Sequence, residues 1–181
     1  MDFNQSLAYG QAGETAIANW FRRKGYVVLP IYEKILETGK GPQLFMPNDQ
    51  KLIAPDMFVF SKDKQWWIEA KHKTAFSWHR NTQKWTTGID VHHYEDYLRV
   101  NDLTPWPVWL LFLHGGGQAK DSPPDSPAGL FGNTLEALRK TESHRHENWG
   151  RYGMVYCAHD SLLLVAALED VLRSEPAPVP T

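Results

Sequence analysis

The sequence predicts an α/β domain in the order helix, three strands, helix, strand, with a central mixed sheet flanked by helices. Three observations carry that prediction. An amphipathic stretch runs from about Gln11 to Lys24 and ends at Gly25, a residue suited to a left-handed helix stop. Two short apolar runs follow, Met57 to Phe60 and Gln65 to Lys71, separated by the polar turn Ser61-Lys62-Asp63-Lys64. Finally, Val108-Trp109-Leu110-Leu111-Phe112-Leu113 is apolar without interruption, as in a strand covered on both faces.

In the first helix, Ile17, Ala18 and Phe21 form one stripe, and Arg22 and Arg23 point largely away. Glu14 falls in the middle of the apolar stripe. A carboxylate there is either a solvated first-turn residue favoured by the helix dipole or a buried charge that needs a cation or a metal. Tyr26 to Tyr32 reads as the first strand, with Pro30 near an edge or bend. Thr38 to Ala54 contains Gly39, Gly41, Pro42 and Pro47 and reads as a loop. Lys71 to Ile89 is polar with interspersed aromatics and reads as a hairpin or an ordered loop. Asp90 is placed to cap a helix reaching about Val100, which carries Tyr94, Tyr97 and Leu98. After His114 the composition changes. Gly115-Gly116-Gly117 and then Pro123, Pro124 and Pro127 mark an excursion, followed by a short helix from about Asn133 to Lys140. An apolar segment from Met154 to Leu172 closes the domain. The expected organisation is a core over residues 1–114, an extension packed on it over 115–173 and a disordered tail over 174–181.

At 181 residues the chain is long enough for one domain with a real core. Its net charge of -2 gives no global sign of a nucleic-acid partner, so any basic surface has to be local. The lone Cys157 excludes an internal disulfide framework and a cysteine-rich zinc site, and its apolar neighbours read it as a small buried residue. The chain starts without a charged leader and apolar block, and no apolar run approaches the ~20 residues of a membrane span. The expectation is a soluble, cytoplasmic protein. Of eight tryptophans, Trp66, Trp67, Trp106 and Trp109 lie in apolar runs and read as core. Trp78, Trp85 and Trp149 stand among polar and basic residues.

The chemistry lies where the two short runs meet. Asp56 opens the first and Glu69-Ala70-Lys71 closes the second. Side chains alternate along a strand, so Glu69 and Lys71 share one face while Ile68 and Ala70 take the other. A tight turn pairs the runs and brings Asp56 near Glu69. Two carboxylates and an ammonium at one sheet end can hold a divalent metal and stabilise charge on a phosphate. The competing reading is a surface hairpin with a Glu69–Lys71 ion pair. It leaves unexplained why three charges line strands otherwise built of Trp, Ile and Phe.

With Pro55-Asp56 and Glu69-Ala70-Lys71 on the second and third strands and Glu14 on the helix before them, Gln11 to Leu113 resembles the PD-(D/E)XK nuclease superfamily. Within it, the layout is most similar to the archaeal-type Holliday junction resolvases. The resemblance implies a restriction-endonuclease-like core (αβββαβ) over residues 1–114. It implies that Asp56, Glu69 and the Ala70 carbonyl bind Mg²⁺, or Mn²⁺ as a substitute, with Glu14 joining directly or through water. Asp56, Glu69 and Lys71 would carry the catalysis. The ion would activate a water, and Lys71 would orient or deprotonate it or stabilise the pentacovalent phosphate. One metal or two is left open. The implied partner is DNA, in particular a branched form such as a Holliday junction, in recombination or repair. A homodimer is implied because two coordinated nicks need two active sites. The alternative is a nucleic-acid-binding protein that keeps the nuclease fold without cutting, against which the intact Asp56, Glu69 and Lys71 speak.

Residues 70–89 contain no Asp or Glu. Lys73, Arg80 and Lys84 in this run are placed to track phosphates, with Trp78 and Trp85 to stack on bases; the alternative is a solvated polar hairpin. Rival sites are weaker. His92-His93 with Asp96 reads as the polar face of a helix, and His144-Arg145-His146-Glu147 as a polar connection rather than a metal site. Gly115-Gly116-Gly117 lacks the Lys-Ser/Thr of a phosphate loop.

Overall fold

The computed structural model describes residues 3–31, 43–46, 50–147 and 153–173. Trp149 and the proline-rich end, residues 174–181, lie outside them, as does part of the expected loop before Ala54. The first helix, α1 (Phe3–Arg23), begins about two turns earlier than its periodicity predicts. Its far end closes at Gly25, which has φ +86. There the Tyr26 N–H donates to Phe21 O at 3.1 Å and the Gly25 N–H to Arg22 O at 3.0 Å. This double closure needs a left-handed residue, which glycine supplies without steric cost.

The chain then forms β1 (Val27–Pro30), the short hairpin β2 (Gln43–Phe45) and β3 (Lys51–Ile53), β4 (Met57–Phe60) and β5 (Gln65–Lys73). A second hairpin, β6 (Ser77–His79) and β7 (Lys84–Asp90), leads into α2 (Val91–Leu103) and β8 (Val108–Gly115). After them come β9 (Ala128–Thr134), α3 (Leu135–Lys140), β10 (Glu142–His146), β11 (Met154–Ala158), β12 (Leu163–Ala166) and α4 (Leu168–Leu172). Without the two hairpins the order to β8 is helix, three strands, helix, strand, as expected.

The central sheet has six strands in the order β1-β4-β5-β8-β9-β12. It is mixed: β5 and β8 run parallel, and their neighbours are antiparallel. The uninterrupted apolarity of β8 follows from its place in the middle of this sheet. Leu110 and Phe112 face a cluster with Tyr94, Tyr97 and Val100 of α2, while Leu111 and Leu113 face Ile17, Ala18 and Phe21 of α1. Both faces are therefore buried. The segment after His114 contributes β9 beside β8 and β12 beside β9. No helix among the described residues is long and apolar enough to cross a membrane.

Two expectations are corrected. The stretch read as a loop before Ala54 contains β2 and β3, paired antiparallel from Gln43↔Ile53 to Phe45↔Lys51. Its glycines and prolines obscured a hairpin whose Leu52 is buried and whose Leu44 and Ile53 pack on the core. The stretch His144 to Glu147, read as a connection, is largely strand: β10 is an edge of a second sheet ordered β10-β11-β7-β6. Its polar residues gave no alternating apolar signal because its outer face is not core.

Helix α1 lies close on β5. A Cβ on Gly13 would sit 2.4 Å from the His72 Cβ, whereas one on Gly10 would meet nothing within 4 Å. Two substitutions in one helix should therefore act in opposite directions. Gly10→Ala should raise stability by up to about 1 kcal/mol through helix propensity. Gly13→Ala should lower it by about 1–3 kcal/mol through overpacking. Urea denaturation measures both, and equal effects would refute this packing.

Candidate active site

Asp56 stands just before β4, where its carbonyl accepts the Ile31 N–H at 2.8 Å. Its side chain turns to β5, and Asp56 Oδ2 accepts the Ala70 N–H at 2.8 Å. The β4–β5 register, Met57↔Ile68, makes this reach possible. Asp56 and Glu69 thus come together as the pairing of the two short runs predicts. Glu69 is 1% exposed and ion-paired through Oε1 with the Lys71 ammonium. Its second oxygen, Oε2, is buried and has no hydrogen-bond partner.

The electrostatics follow from gathering three charges around the buried Glu69, with Asp56 and Lys71 partly buried beside it. Burial, and then the Glu69 charge, push Asp56 up to about 7, although Lys71 and the Ala70 N–H oppose the shift. Burial alone would lower Lys71, but Glu69 and Asp56, with Glu14 adding, hold it above the ordinary lysine range. Lys71 therefore stays charged. That favours orienting a water or stabilising a phosphate over deprotonating water, among the roles implied for it. Lys73, two residues along the same face, is lowered by burial and by Lys71.

Glu14 lies within electrostatic range of Lys71. Because α1 starts at Phe3, Glu14 is about three turns inside the helix and the dipole of its N-terminus does not account for it. Among the described residues, no three His, Cys, Asp or Glu side chains already converge as a metal cluster. The donor set nevertheless suits a hard cation: two oxygen ligands, one with an unused buried lone pair, and Mg²⁺ usually keeps several waters. These observations concern Asp56 and Glu69.

Two side chains at this site were given no role in it from the sequence. Tyr97, 1% exposed on α2, lies beside Glu69 and Asp56, and burial followed by those carboxylates pushes its hydroxyl well up. His93 stands one turn before it. Burial, then Lys71 and His92, bring His93 down to about 4, and its buried Nδ1 has no hydrogen-bond partner. The i, i+4 spacing of His93 and Tyr97 was the available signal. It was masked by Asp96, which instead accepts the Ile53 N–H at 3.0 Å. Asp90 occupies the cap position of α2 but makes no side-chain cap bond; its charge acts on Lys73 and His93.

The acid-free run is not acid-free in space. Lys73 adjoins the site, but Lys84 pairs with Asp160 at 2.5 Å and Arg80 with Asp121 at 3.9 Å. Trp78 and Trp85 pack edge to face with centroids 5.1 Å apart, and Trp85 rests against the core.

The Asp56 shift has a testable sign. A carboxyl raised in the folded state binds a proton that the unfolded chain has lost, so metal-free stability should fall as pH rises from about 4 through about 7. Asp56→Asn should flatten that fall and exceed the parent in stability at pH 8 in chelator. Parallel thermal-melt profiles for the two proteins would refute the shift.

No protein-family model matches the sequence, and neither does any curated protein. Among solved structures, the chain is similar to Hjc, a Holliday junction resolvase of the archaeal hyperthermophile Archaeoglobus fulgidus. That similarity has 7% identity and a TM-score of 0.49, covering 86% of this chain and 91% of the other. It is also similar to D212, a nuclease from a fusselovirus, at 11% identity and a TM-score of 0.42, covering 94% and 90%.

Proposed function

We propose that this chain is a metal-dependent endonuclease that hydrolyses DNA phosphodiester bonds at the Asp56–Glu69–Lys71 site. The observation that carries this reading is the juxtaposition of a buried carboxylate with an orphaned oxygen, a second, partly buried carboxylate, and a lysine held in its charged form. Asp56 and Glu69, with the Ala70 carbonyl, would hold Mg²⁺ or Mn²⁺. When bound, the ion supplies Lewis-acid activation of water and neutralises phosphate charge. Lys71 supplies a fixed positive charge beside the carboxylates, where a phosphate oxygen gains negative charge in the transition state. Tyr97 positions the Glu69 carboxylate. The neutral imidazole of His93 offers a hydrogen-bonding group beside Lys71 without adding to its charge. Glu14 balances Lys71 from the helix side.

The finer reading is a homodimer that cuts branched DNA such as a Holliday junction, supported by the resemblance of the Glu14, Asp56 and Glu69-Ala70-Lys71 layout to archaeal-type resolvases. It has its own test. A four-way junction cut in preference to its linear arms, by a species of dimer mass, is the expected result; equal cleavage of plain duplex by a monomer removes the finer reading alone.

Asp56→Asn and Glu69→Gln should each lower cleavage in Mg²⁺ by at least about 100-fold, the scale of losing an electrostatic contributor to catalysis. Lys71→Ala should slow cleavage similarly while leaving DNA affinity nearly intact. All three should remain folded by circular dichroism. Parental rates in the three folded variants would overturn the site.

A further inference from the structure

The second sheet brings together aromatic rings that lie far apart in the sequence. His79 is on β6 and His144 on β10, the two outermost strands of the order β10-β11-β7-β6. Their rings nevertheless stack, with centroids 3.9 Å apart and planes 14° apart. His144 stacks in turn on Tyr156 of β11, at 4.5 Å and 5°. The sheet therefore curls until its edge strands share one ladder of three nearly parallel rings. His146 meets His144 edge to face at 5.2 Å.

The ladder is positioned by its neighbours. Thr82 Oγ1 lies 2.8 Å from His79 Nδ1, and Ser143 Oγ lies 3.1 Å from His144 Nδ1. Tyr156 pairs with Gly88 on β7, where a Cβ would come within 3.0 Å of the Tyr156 ring. Gly88 thus leaves room for that ring. The opposite face of this sheet is core, carrying Ile89, Val155 and Cys157. The ladder stands on the other face and is only partly buried. Trp78 and Trp85 alternate with His79 and Lys84 and so take the core side.

Asp90 links the ladder electrostatically with the candidate active site. Asp90 lies two positions from Gly88 on β7, hence on the face that carries Tyr156. Its charge acts on Lys73, on His93 and on Tyr156. Lys73, on which Asp90 acts, stands toward one end of this strip. Lys84, paired in register with His79, stands at the other, in an ion pair with Asp160 that a phosphate would have to displace. Cations at the ends of a strip of flat rings suit a strand whose phosphates are charged and whose bases have exposed faces.

We propose that the His79–His144–Tyr156 ladder is a stacking platform for unpaired bases of the DNA strand held in the active site. The substrate class is accordingly DNA with a single-stranded segment beside the cut. This rests on the nuclease reading for the placement of the strand. Burial, with His79 and His146 beside it, brings His144 down to about 4, so its ring packs uncharged at neutral pH.

The test uses the full chain carrying Glu69→Gln to prevent cutting, with fluorescence anisotropy of three labelled DNAs: a single strand, a blunt duplex and a duplex with a single-stranded overhang. The single strand and the overhang should bind more tightly than the blunt duplex. His79→Ala and Tyr156→Ala, at the two end rings of the ladder, should weaken both by about tenfold or more, from the loss of base–aromatic stacking. Blunt-duplex binding should stay the same, and Tyr156→Phe should retain parental affinity. A 2-aminopurine in the single strand should be quenched on binding the otherwise unaltered Glu69→Gln chain. Equal affinity for single strand and blunt duplex, or folded alanine variants with undiminished single-strand affinity, would overturn the platform. If the alanine variants unfold, the 2-aminopurine signal decides, and an unquenched probe overturns it. Cleavage by the parent in Mg²⁺ is scored separately. Cutting without single-strand preference refutes the platform alone, whereas quenched single-strand binding without cutting supports the platform and removes the nuclease reading.

Discussion

Glu69 places a carboxylate where only 1% of the residue is exposed, in the middle of a sheet flanked by packed clusters. An unpaired charge at such a depth costs several kcal/mol. The Lys71 ammonium, on the same face of the same strand, offsets it. That single pairing constrains much of the surrounding structure. β5 is central and covered on both faces, which is what makes the pairing necessary. The pairing holds Lys71 in its charged form and leaves Asp56, the adjoining carboxyl, to carry the imbalance. A second negative charge beside Glu69 has only the Ala70 N–H and the already engaged Lys71 to stabilise it, and Asp56 accordingly titrates near 7.

The same imbalance connects structure to chemistry. A site with two carboxylates and one committed lysine has room for added positive charge, and under the reading proposed above a divalent cation would supply it and displace the Asp56 proton. The buried lone pair on Glu69 Oε2 is otherwise an uncompensated polar group. The supports are drawn from several elements. Helix α1 lies on the opposite face of β5, where the Tyr9 ring stacks on His72 at 3.7 Å and the His72 Nδ1 donates to Tyr9 O at 2.7 Å. Helix α2 brings Tyr97 to the carboxylates. Loss of any one support would loosen the site without removing a charged group.

Legibility in the sequence followed the range of the interactions involved. Asp56, Glu69 and Lys71 could be placed together because strand alternation and a tight turn are local rules, and the structure follows both. The stripe of Ile17, Ala18 and Phe21 and the stop at Gly25 were readable for the same reason. Glu14 was ambiguous because its interpretation depends on where α1 begins, and the residues before Gln11 lack a strong apolar period. The hairpin of β2 and β3 was hidden because three-residue strands give little alternation and glycine and proline surround them. The acid-free character of residues 70–89 dissolved in space because Asp121 and Asp160 come from later segments. The ring ladder could not be anticipated at all, since the curl that joins His79 to His144 is a property of the whole second sheet. Of the tryptophans chosen for their polar sequence neighbours, Trp85 instead rests against the core and Trp78 packs edge to face on Trp85.

The central claim is that Asp56 holds a proton which a divalent cation displaces. Titration calorimetry of Mg²⁺ into the apo protein near pH 6.5, in two buffers of different ionisation enthalpy, measures it directly. The account predicts release of a fraction of a proton per ion bound, abolished in Asp56→Asn. Mg²⁺ binding with no proton release, or the same release from Asp56→Asn, would contradict it.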